Sequence, residues 1–417
     1  MRILILSINY WPEETGIGAF TTYRAEHLAS AGHDVTVCTT FPYYPEWKVS
    51  REYAGRLLST EERNGVRIVR SYAYVPNPVT SMKRVMHEAS FIATSFARAL
   101  GQTRPDVLFV VSPPLGLTLS AIVLSRMWRT PYVFEVEDLQ PDAAADLGML
   151  PPWALKVMYK VESAAYRNAA LVSTLTEGMR AKIISKGIAA EKVELFEPRA
   201  DETLFEIAPE EGAKFRKRHG LGAKFIVTHS GNMGMKQGLE VILDAADRSH
   251  DDESTIFLLV GDGAARNRIE ARAREMQLEN VRFMPVLDSM EYRGLLAASD
   301  VCLVTQLKTV SDIVFPSKTV SYLAAGCAVV GSVNAASEVA RAIMESRAGL
   351  VVEPENAQNL SHAIGTMRQQ DLSCYKARAR EYAGQRWAPA RVLGHLERTL
   401  VSVANGSEWE MAARAER

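Results

Sequence analysis

The sequence is poor in the residues that build several common kinds of functional site. It has 4 cysteines in 417 residues, no Cys-x-x-Cys pair and no histidine–cysteine cluster with metal-ligand spacing. These absences argue against a disulfide framework and against a zinc site. No two aspartates stand two positions apart, so an Asp-x-Asp motif for a metal-bound diphosphate is missing. We therefore expect no metal site and no cofactor.

The sequence also lacks an excess of charge of either sign, and it lacks long uninterrupted apolar runs. The 48 basic residues balance 49 acidic ones, giving a formal net charge of −1, so no basic surface for nucleic acid is indicated. The most apolar stretch, 107–128, is broken by Pro113 and Pro114 and predicts a strand, a turn and a helix rather than a membrane span. The apolar run at 3–6 is too short for a signal peptide. We expect a cytoplasmic protein.

The chain does contain a repeated alternation of strand and helix patterns. An apolar strand at 2–8 opens the first series, and the pattern restarts with a strand at 225–229, after a polar segment at 198–222 that resembles a linker. Such alternation predicts an α/β protein made of two Rossmann-like parallel-sheet domains. We place them at 1–205 and 206–386, with a helix at about 387–404 that can pack back on the first. Facing sheets of this kind would line a cleft with their carboxyl ends.

Three loops at predicted strand ends or helix starts favour binding of an anion. Backbone N–H groups at a helix start, together with a lysine, attract phosphate. None of the loops matches the dinucleotide fingerprint or the P-loop, and each can also be an ordinary turn or cap. The candidate residues in these loops are Gly16, Gly18, Gly231, Asn232, Gly234, Lys236, Pro316, Ser317, Lys318 and Thr319.

Two further strand ends carry polar residues. Gly261, Asp262 and Gly263 follow a strand of the second series, and Glu137 and Asp138 follow a strand of the first. Carboxylates at the end of a buried strand can face a bound ligand, and a solvated acidic loop would have the same sequence. Lone histidines such as His27, His33 and His229 are interpreted as structural or surface residues.

Several segments in both halves resemble one known family. In the first half they are residues 9–13 (NYWPE), 15–18 (TGIG), 42–47 (PYYPEW) and 137–142 (EDLQPD). In the second half they are 231–238 (GNMGMKQG), 261–263 (GDG), 316–318 (PSK) and 325–326 (AG). Over almost its whole length the chain resembles family 4 glycosyltransferases with the GT-B fold. It is most similar to a bacterial colanic acid and O-antigen subgroup that includes transferases of fucose- or fucosamine-type sugars.

The resemblance implies retaining, metal-independent transfer from a UDP- or GDP-linked sugar, held by the second domain, to an acceptor held by the first. In that family a lysine at the position of Lys236 contacts the diphosphate, and the arginine that accompanies it is replaced here by Asn232. Two glutamates of the wider family fall on Ile313 and Ser321, and Asp312 is a candidate substitute for the first. A histidine that often precedes Asp138 is replaced by Glu137.

From these observations we assign roles to individual residues. Lys236, the amides of residues 317–319 and the loop with Gly18 would stabilise the leaving diphosphate, while Asp138 or Glu137 would orient the sugar. The full donor set is Gly16, Gly231, Asn232, Gly234, Lys236, Gly261, Asp262, Gly263, Pro285, Asp312, Pro316, Ser317, Lys318, Thr319 and Ser321. The acceptor set is Tyr43, Tyr44 and Trp47, whose aromatic faces can pack on sugar rings.

The expected acceptor is a lipid-diphosphate-linked glycan at the inner face of the membrane. A helix-like stretch at 82–100 has an apolar face flanked by Lys83 and Arg84, which suits an anionic membrane surface; packing on the first sheet would explain the same pattern. Two other functions stay open: a nucleotide-sugar epimerase of the same fold, and a sugar-binding homologue of weak activity. The absent dinucleotide fingerprint disfavours an oxidoreductase.

Overall fold

The computed structural model describes residues 1–13, 16–146, 148, 150–250, 252–309 and 317–406. The chain forms two compact units. Unit 1 comprises Met1–Glu197 and the chain from Leu393 onward, and unit 2 comprises Pro198–Val392. The sequence-based boundaries at 205/206 and 386/387 lie a few residues inside unit 2.

Unit 1 contains an eight-stranded sheet whose strands are connected mostly by helices. Its strands are β1 (Arg2–Leu6), β2 (Asp34–Thr40), β3 (Leu58–Arg63), β4 (Val66–Ser71), β5 (Val107–Ser112), β6 (Tyr132–Val136), β7 (Leu171–Thr174) and β8 (Val193–Leu195). Its helices are α1 (Ile17–Ser30), α2 (Ser81–Leu100), α3 (Leu117–Trp128), α4 (Gln140–Asp146), α5 (Pro152–Asn168) and α6 (Glu177–Ser185). The strand order is β3-β4-β2-β1-β5-β6-β7-β8, parallel except for β3, which pairs antiparallel with β4.

Unit 2 contains a six-stranded sheet. Its strands are β9 (Phe225–Ser230), β10 (Thr255–Val260), β11 (Val281–Met284), β12 (Val301–Thr305), β13 (Ala328–Ser332) and β14 (Gly349–Val352). Its helices are α7 (Pro209–Arg218), α8 (Glu240–Asp247), α9 (Arg266–Glu275), α10 (Ser289–Ala298), α11 (Ser317–Ala324), α12 (Glu338–Ser346), α13 (Ala357–Arg368) and α14 (Ser373–Trp387). The order is β11-β10-β9-β12-β13-β14, with every pair parallel.

Apolar side chains fill both faces of each sheet, which is why the strand sequences are almost continuously apolar. In β1, Ile3 and Ile5 join one core cluster while Leu4 and Leu6 join another on the opposite face, as the alternation of side chains along a strand requires. The same division occurs in unit 2 between neighbours such as Ile226 and Val227. The predicted fold class is confirmed at the level of two parallel α/β sheets.

The segment 198–222 is not the linker that its polar composition indicated. It contains α7, and Phe215 of this helix is buried in a core cluster of unit 2. Leu204, Ile207 and Leu221 of the same segment are buried as well. The apolar residues of this segment are few and stand among charged ones, so the sequence shows no recognisable periodicity. These four side chains are nevertheless buried.

The last helix, α15 (Pro389–Ala404), begins in unit 2 and continues into unit 1. Its apolar residues Leu396, Leu400 and Val403 belong to a core cluster of unit 1. Their spacing of four and three residues places them on one face of the helix, so this face covers the core.

The first strand of each unit lies at the point where the strand order reverses. In unit 1, β1 lies between β2 and β5, and in unit 2, β9 lies between β10 and β12. In open parallel sheets, ligands bind beyond the carboxyl ends of the strands at this switch point. The fold therefore predicts that ligands bind at the loops that follow Leu6 and Ser230.

Candidate functional site

The loop after β9 packs closely against the loop after β10, and glycines in both loops make this contact possible. Gly231 and Gly261 both have positive φ, and a Cβ on Gly261 would lie 2.0 Å from the carbonyl oxygen of Gly231. A Cβ on Gly263 would meet Asn232 and the backbone of Met233 at 2.6–2.7 Å. Only glycine allows the ends of β9 and β10 to approach this closely, so the two predicted glycine loops form one backbone surface.

The predicted polar residues of this surface face solvent. Asn232, Lys236 and Asp262 are exposed, and Lys236 lies in a short 3-10 turn between Gly234 and Gly238. The side chain of Asp262 accepts a hydrogen bond from the amide of its neighbour Gly263 at 2.7 Å. An ammonium beside glycine backbone is a suitable arrangement for a phosphate.

A second lysine lies beside the same backbone. The Lys318 side chain passes Gly231, whose built Cβ would lie 3.9 Å from Nζ, and Nζ is 3.3 Å from Nε2 of the buried His229. Burial lowers the pKa of Lys318 to about 8, and burial and this ammonium lower that of His229 well below its usual value. His229 is therefore a neutral partner of the Lys318 ammonium and not a counter-ion to it.

Helix α11 is fixed to the end of β9 by a tyrosine. The Tyr322 hydroxyl lies 2.8 Å from the amide nitrogen of Ser230 and 3.0 Å from its Oγ. Ser317 at the start of the helix is exposed, whereas Thr319 is fully buried and its Oγ1 has no hydrogen-bond partner among the described residues. Ser321 hydrogen bonds to the carbonyl of Ser317 at 3.4 Å.

Two predicted donor residues, Asp312 and Pro316, lie outside the described residues, as does Ile313. Pro285 is exposed directly after β11. Arg266 lies next to it in space: its guanidinium donates to the carbonyls of Gly261 and Met284, the latter at 3.2 Å. This arginine links the ends of two strands, and nothing in its local sequence distinguished it.

In unit 1, the loop after β1 folds around a buried carboxylate. Glu13 accepts hydrogen bonds from the amides of Tyr43 and Tyr44, both at 2.8 Å, and from Asn9 Nδ2 at 2.7 Å. Burial raises the pKa of Glu13, although these hydrogen bonds oppose the shift. A Cβ on Gly18 would lie 2.7 Å from the Glu13 carbonyl oxygen. Gly18 is therefore required for the loop to fold back, while Gly16 is exposed.

The three predicted acceptor residues meet in one cavity of unit 1. Tyr43, Tyr44 and Trp47 line a cavity of about 290 Å³ together with Gly16. Residues from α2, which the motifs did not include, complete the polar part of the wall: Arg84, His87 and Glu88. An aromatic wall with a few polar groups is typical of a site for a small polar ligand.

Glu137 is less accessible than the sequence indicated, because it pairs with a buried arginine. Nη1 of Arg24 lies 3.1 Å from Glu137 and 3.0 Å from Glu135, and Nη2 donates to the carbonyl of Phe196. Burial raises the pKa of Glu137 to about 8; Arg24 lowers it, and Glu135 raises it further. Asp138, the next residue along the chain, is also half-buried.

The described part of the chain has neither a metal-binding cluster nor a membrane-spanning helix. In that part of the chain, no group of three or more His, Cys, Asp or Glu residues is placed to hold a metal ion. None of its helices is both long and apolar enough to cross a bilayer.

Comparisons with known proteins agree for both units. Residues 15–198 match the family model described as glycosyl transferase 4-like domain, and residues 224–370 match glycosyl transferases group 1. The Escherichia coli K12 protein WcaI, named as a colanic acid biosynthesis glycosyl transferase, is 34% identical over 393 residues, covering 92% of this chain and 95% of WcaI. The Pseudomonas aeruginosa glycosyltransferase WbjE is 26% identical over 272 residues, covering 65% of this chain and 68% of WbjE.

Solved structures show the same fold at lower identity. Sucrose-phosphate synthase from Thermosynechococcus elongatus superposes with a TM-score of 0.72 at 20% identity, covering 96% of this chain and 99% of its own. The Anabaena protein HepE, solved with UDP, superposes with a TM-score of 0.71 at 18% identity and covers 96% of this chain and 100% of its own.

Proposed function

The chain belongs to the family 4 glycosyltransferases of the GT-B fold, and we propose that it transfers a sugar from a nucleotide diphosphate sugar to a lipid-diphosphate-linked glycan. The observation that carries the proposal is the pair of lysines, Lys236 and Lys318, beside the glycine backbone at the switch point of unit 2. The relatives' names and the resemblance support bacterial surface polysaccharide biosynthesis as the setting.

The donor diphosphate would be held by unit 2 without a metal ion. Lys236 and Lys318 supply positive charge, the glycine backbone allows close approach, and the N-terminus of α11 at Ser317 adds a favourable dipole. Lys318 thereby takes the place of the family arginine that Asn232 replaces. Asn232, Gly263 and Ser321 would contact the remaining donor groups, and Asp312 and Pro316 stay predictions from the sequence.

The reaction would retain the anomeric configuration. The acceptor hydroxyl oxygen attacks the anomeric carbon on the face from which the diphosphate departs, so that a new C–O bond forms while the bond to the phosphate oxygen breaks. The hydroxyl proton passes to a phosphate oxygen. We assign the orientation of the sugar to Asp138 or Glu137, and the contact of Glu137 with Arg24 supports that loop.

The acceptor would occupy the cavity of unit 1. Tyr43, Tyr44 and Trp47 line it, and aromatic faces of this kind pack against the apolar faces of sugar rings. Gly16 at its edge is exposed and has positive φ, a backbone conformation that favours glycine.

A peripheral membrane contact through unit 1 is part of this proposal. Three neighbouring helices expose apolar side chains: α2, α3 and α5. These side chains are Met82, Val85, Met86, Leu119, Val123, Met127, Trp153 and Val157. They recur every four residues in α3 and α5, and in α2 Val85 and Met86 follow Met82 by three and four residues. Exposed basic residues lie on the same helices: Arg84, Arg126, Lys156 and Lys160. Apolar and basic groups together favour an anionic bilayer surface.

A transfer assay tests the proposal. Purified protein is incubated with bacterial lipid extract and radiolabelled UDP- and GDP-sugars in EDTA, and label in the lipid phase is measured. We expect lipid-linked product from one donor, with the anomeric configuration of the donor when analysed by NMR. An inverted product would contradict the retaining mechanism, strict dependence on added metal would contradict the donor site, and a donor converted without acceptor would indicate an epimerase.

A further inference from the structure

A glutamate of α2 belongs to the wall of the cavity in unit 1. Among the described residues that line this cavity, Glu88 is the one with an acidic side chain. His87 and Glu88 stand three and four residues after Arg84, so the three wall residues share one face of α2. The Glu88 side chain is 24% exposed and that of Arg84 is 52% exposed. Both charged groups are therefore within reach of a ligand that enters from solvent.

The electrostatics of Tyr43 indicate that these two charges face the cavity. Tyr43 is a neighbouring wall residue, and burial is the main cause that raises the pKa of its hydroxyl group. The guanidinium of Arg84 lowers this pKa, and the carboxylate of Glu88 raises it. Coulomb interactions weaken with distance, so both charged groups lie near the aromatic side of the wall.

The carboxylate of Glu88 has unused capacity to accept hydrogen bonds. Its Oε1 lies 3.4 Å from Nε of Arg84, whereas an ionised carboxylate offers about four acceptor sites on two oxygens. The contact with Arg84 occupies one of these sites. Burial raises the pKa of Glu88, and Arg84 opposes this shift, so the guanidinium favours the ionised, accepting form. The guanidinium also balances the negative charge, which makes a neutral ligand with hydroxyl groups more suitable than a cation.

We propose that the two carboxylate oxygens of Glu88 accept hydrogen bonds from two neighbouring hydroxyl groups of the acceptor sugar. Glu88 thereby selects a neutral sugar with a vicinal diol, while Tyr44 and Trp47 contact an apolar face of its ring. The inference rests on the proposed function, since it names the chemical class of acceptor for the same cavity. Glu88 belongs to none of the motifs that carry the family resemblance.

A double-mutant cycle between protein and ligand tests this contact. Methyl glycosides of glucose, galactose, mannose and fucose are titrated by NMR, and the one that binds most tightly is compared with its monodeoxy analogues. We expect Glu88→Gln to weaken its binding about tenfold, because the charged acceptor is lost while the side-chain volume is kept. In the unmodified protein, removing either of the two hydroxyl groups should also weaken binding about tenfold.

The coupling between the two changes distinguishes recognition from packing. In Glu88→Gln, removing the same hydroxyl group should weaken binding about twofold or less, because its partner is already lost. A merely structural role of Glu88 would weaken binding of all the glycosides by the same factor, so equal penalties in both proteins would overturn the proposal. Stronger binding of methyl glucosaminide, whose ammonium group is a cation, than of every neutral glycoside would also overturn it.

Glu26 provides a matched control in the same unit. Its side chain is 23% exposed and pairs with Arg63, and it lies outside the residues that line the cavity. Glu26→Gln makes the same charge change and should leave glycoside affinity unchanged. UDP and GDP binding is measured on every sample: if a nucleotide binds but no glycoside does, the role of Glu88 is wrong and the donor site stands. If neither nucleotide binds to the unmodified protein, the proposed function fails.

Discussion

The loops after β1 and β9 occupy equivalent positions in two similar sheets, and their surroundings differ. The loop after β1 closes around the buried Glu13 and an aromatic cavity. The loop after β9 is exposed, rich in glycine, and accompanied by Lys236 and Lys318. The same topology thus presents an aromatic wall with a paired arginine and glutamate in one unit, and two lysines beside glycine backbone in the other.

Under the proposed function, this difference would let one fold serve two substrates. A switch point supplies only a place where backbone and strand ends are accessible, and the side chains decide what binds there. An anionic diphosphate suits the lysines of unit 2, and a polyhydroxylated acceptor suits the aromatic and hydrogen-bonding wall of unit 1. Substitutions that affect one loop without the other can test this division.

The largest effect is expected at Lys236. If its ammonium stabilises the leaving diphosphate, Lys236→Ala should lower kcat by about 100-fold or more, because that charge develops in the transition state. Steady-state kinetics with the preferred donor measures this. Lys308→Ala is the control: Lys308 is an exposed lysine of unit 2 paired with Glu353, and its loss should leave kcat unchanged. Activity of Lys236→Ala within about threefold of the unmodified enzyme would remove Lys236 from the mechanism.

A smaller effect is expected in the loop of unit 1. Glu13→Ala leaves the amides of Tyr43 and Tyr44 without acceptors, and we expect the free energy of unfolding to fall by about 2 kcal/mol. Urea denaturation measures this, with Glu46→Ala as an exposed control in the same region. The acceptor KM should rise while nucleotide affinity stays constant. Equal losses of donor and acceptor affinity would contradict the division between the units.

The buried group at the end of β6 predicts a pH dependence. Burial raises the pKa of Glu137 from the usual 4.5 to about 8, so the folded chain holds this proton more tightly than the unfolded chain. The resulting stabilisation is complete below pH 4.5 and is lost as the pH rises towards 8.

The side-chain amide of Glu137→Gln does not titrate in this pH range. It should keep the contact with the group around Arg24 and Glu135. Between pH 5 and pH 8 the unmodified protein should lose at least about 1.4 kcal/mol of unfolding free energy relative to Glu137→Gln, the equivalent of one pKa unit. Urea denaturation at several pH values measures this. Parallel curves for the two proteins would show that Glu137 is ionised throughout the range.

The smallest effect is expected at the exposed face of unit 1. Replacing Met82 and Met86 with glutamate removes apolar contact and adds negative charge, so co-sedimentation with anionic vesicles should fall several-fold, on the order of 1 kcal/mol. The control is Met290→Glu in unit 2, where the methionine is 75% exposed. Equal reductions in both variants would indicate a non-specific charge effect and no membrane contact of α2.

Sequence patterns predicted most of the strands of both sheets, because buried parallel strands are continuous apolar runs. They missed β3, whose exposed and half-buried residues alternate without an apolar face at the sheet edge. They also missed the buried arginines: Arg24 meets Glu137, and Arg70 donates to the carbonyl of Trp11. These partners are far apart in sequence, and a charged residue carries no local sign of burial.

The candidate site was predictable only where its residues form a local sequence pattern. Glycine loops at strand ends are local patterns, so the sequence could identify Gly231 and Lys236. The proximity of Lys318 to Gly231, and of His87 to Tyr43, depends on the folding together of distant segments. His229, interpreted as a structural or surface residue, is buried beside Lys318, which only the tertiary structure reveals.

The most direct test of the account is thermal unfolding in EDTA with UDP, GDP, ADP or dTDP, using the unmodified protein, Lys236→Ala and Lys308→Ala. A nucleotide at 100 times its Kd should add about 2.7 kcal/mol of stability. The account predicts that one of these nucleotides raises the Tm of the unmodified protein and of Lys308→Ala, and fails to do so with Lys236→Ala. Stabilisation by none of them, or equal stabilisation of all three proteins, would contradict a lysine-based donor site in unit 2.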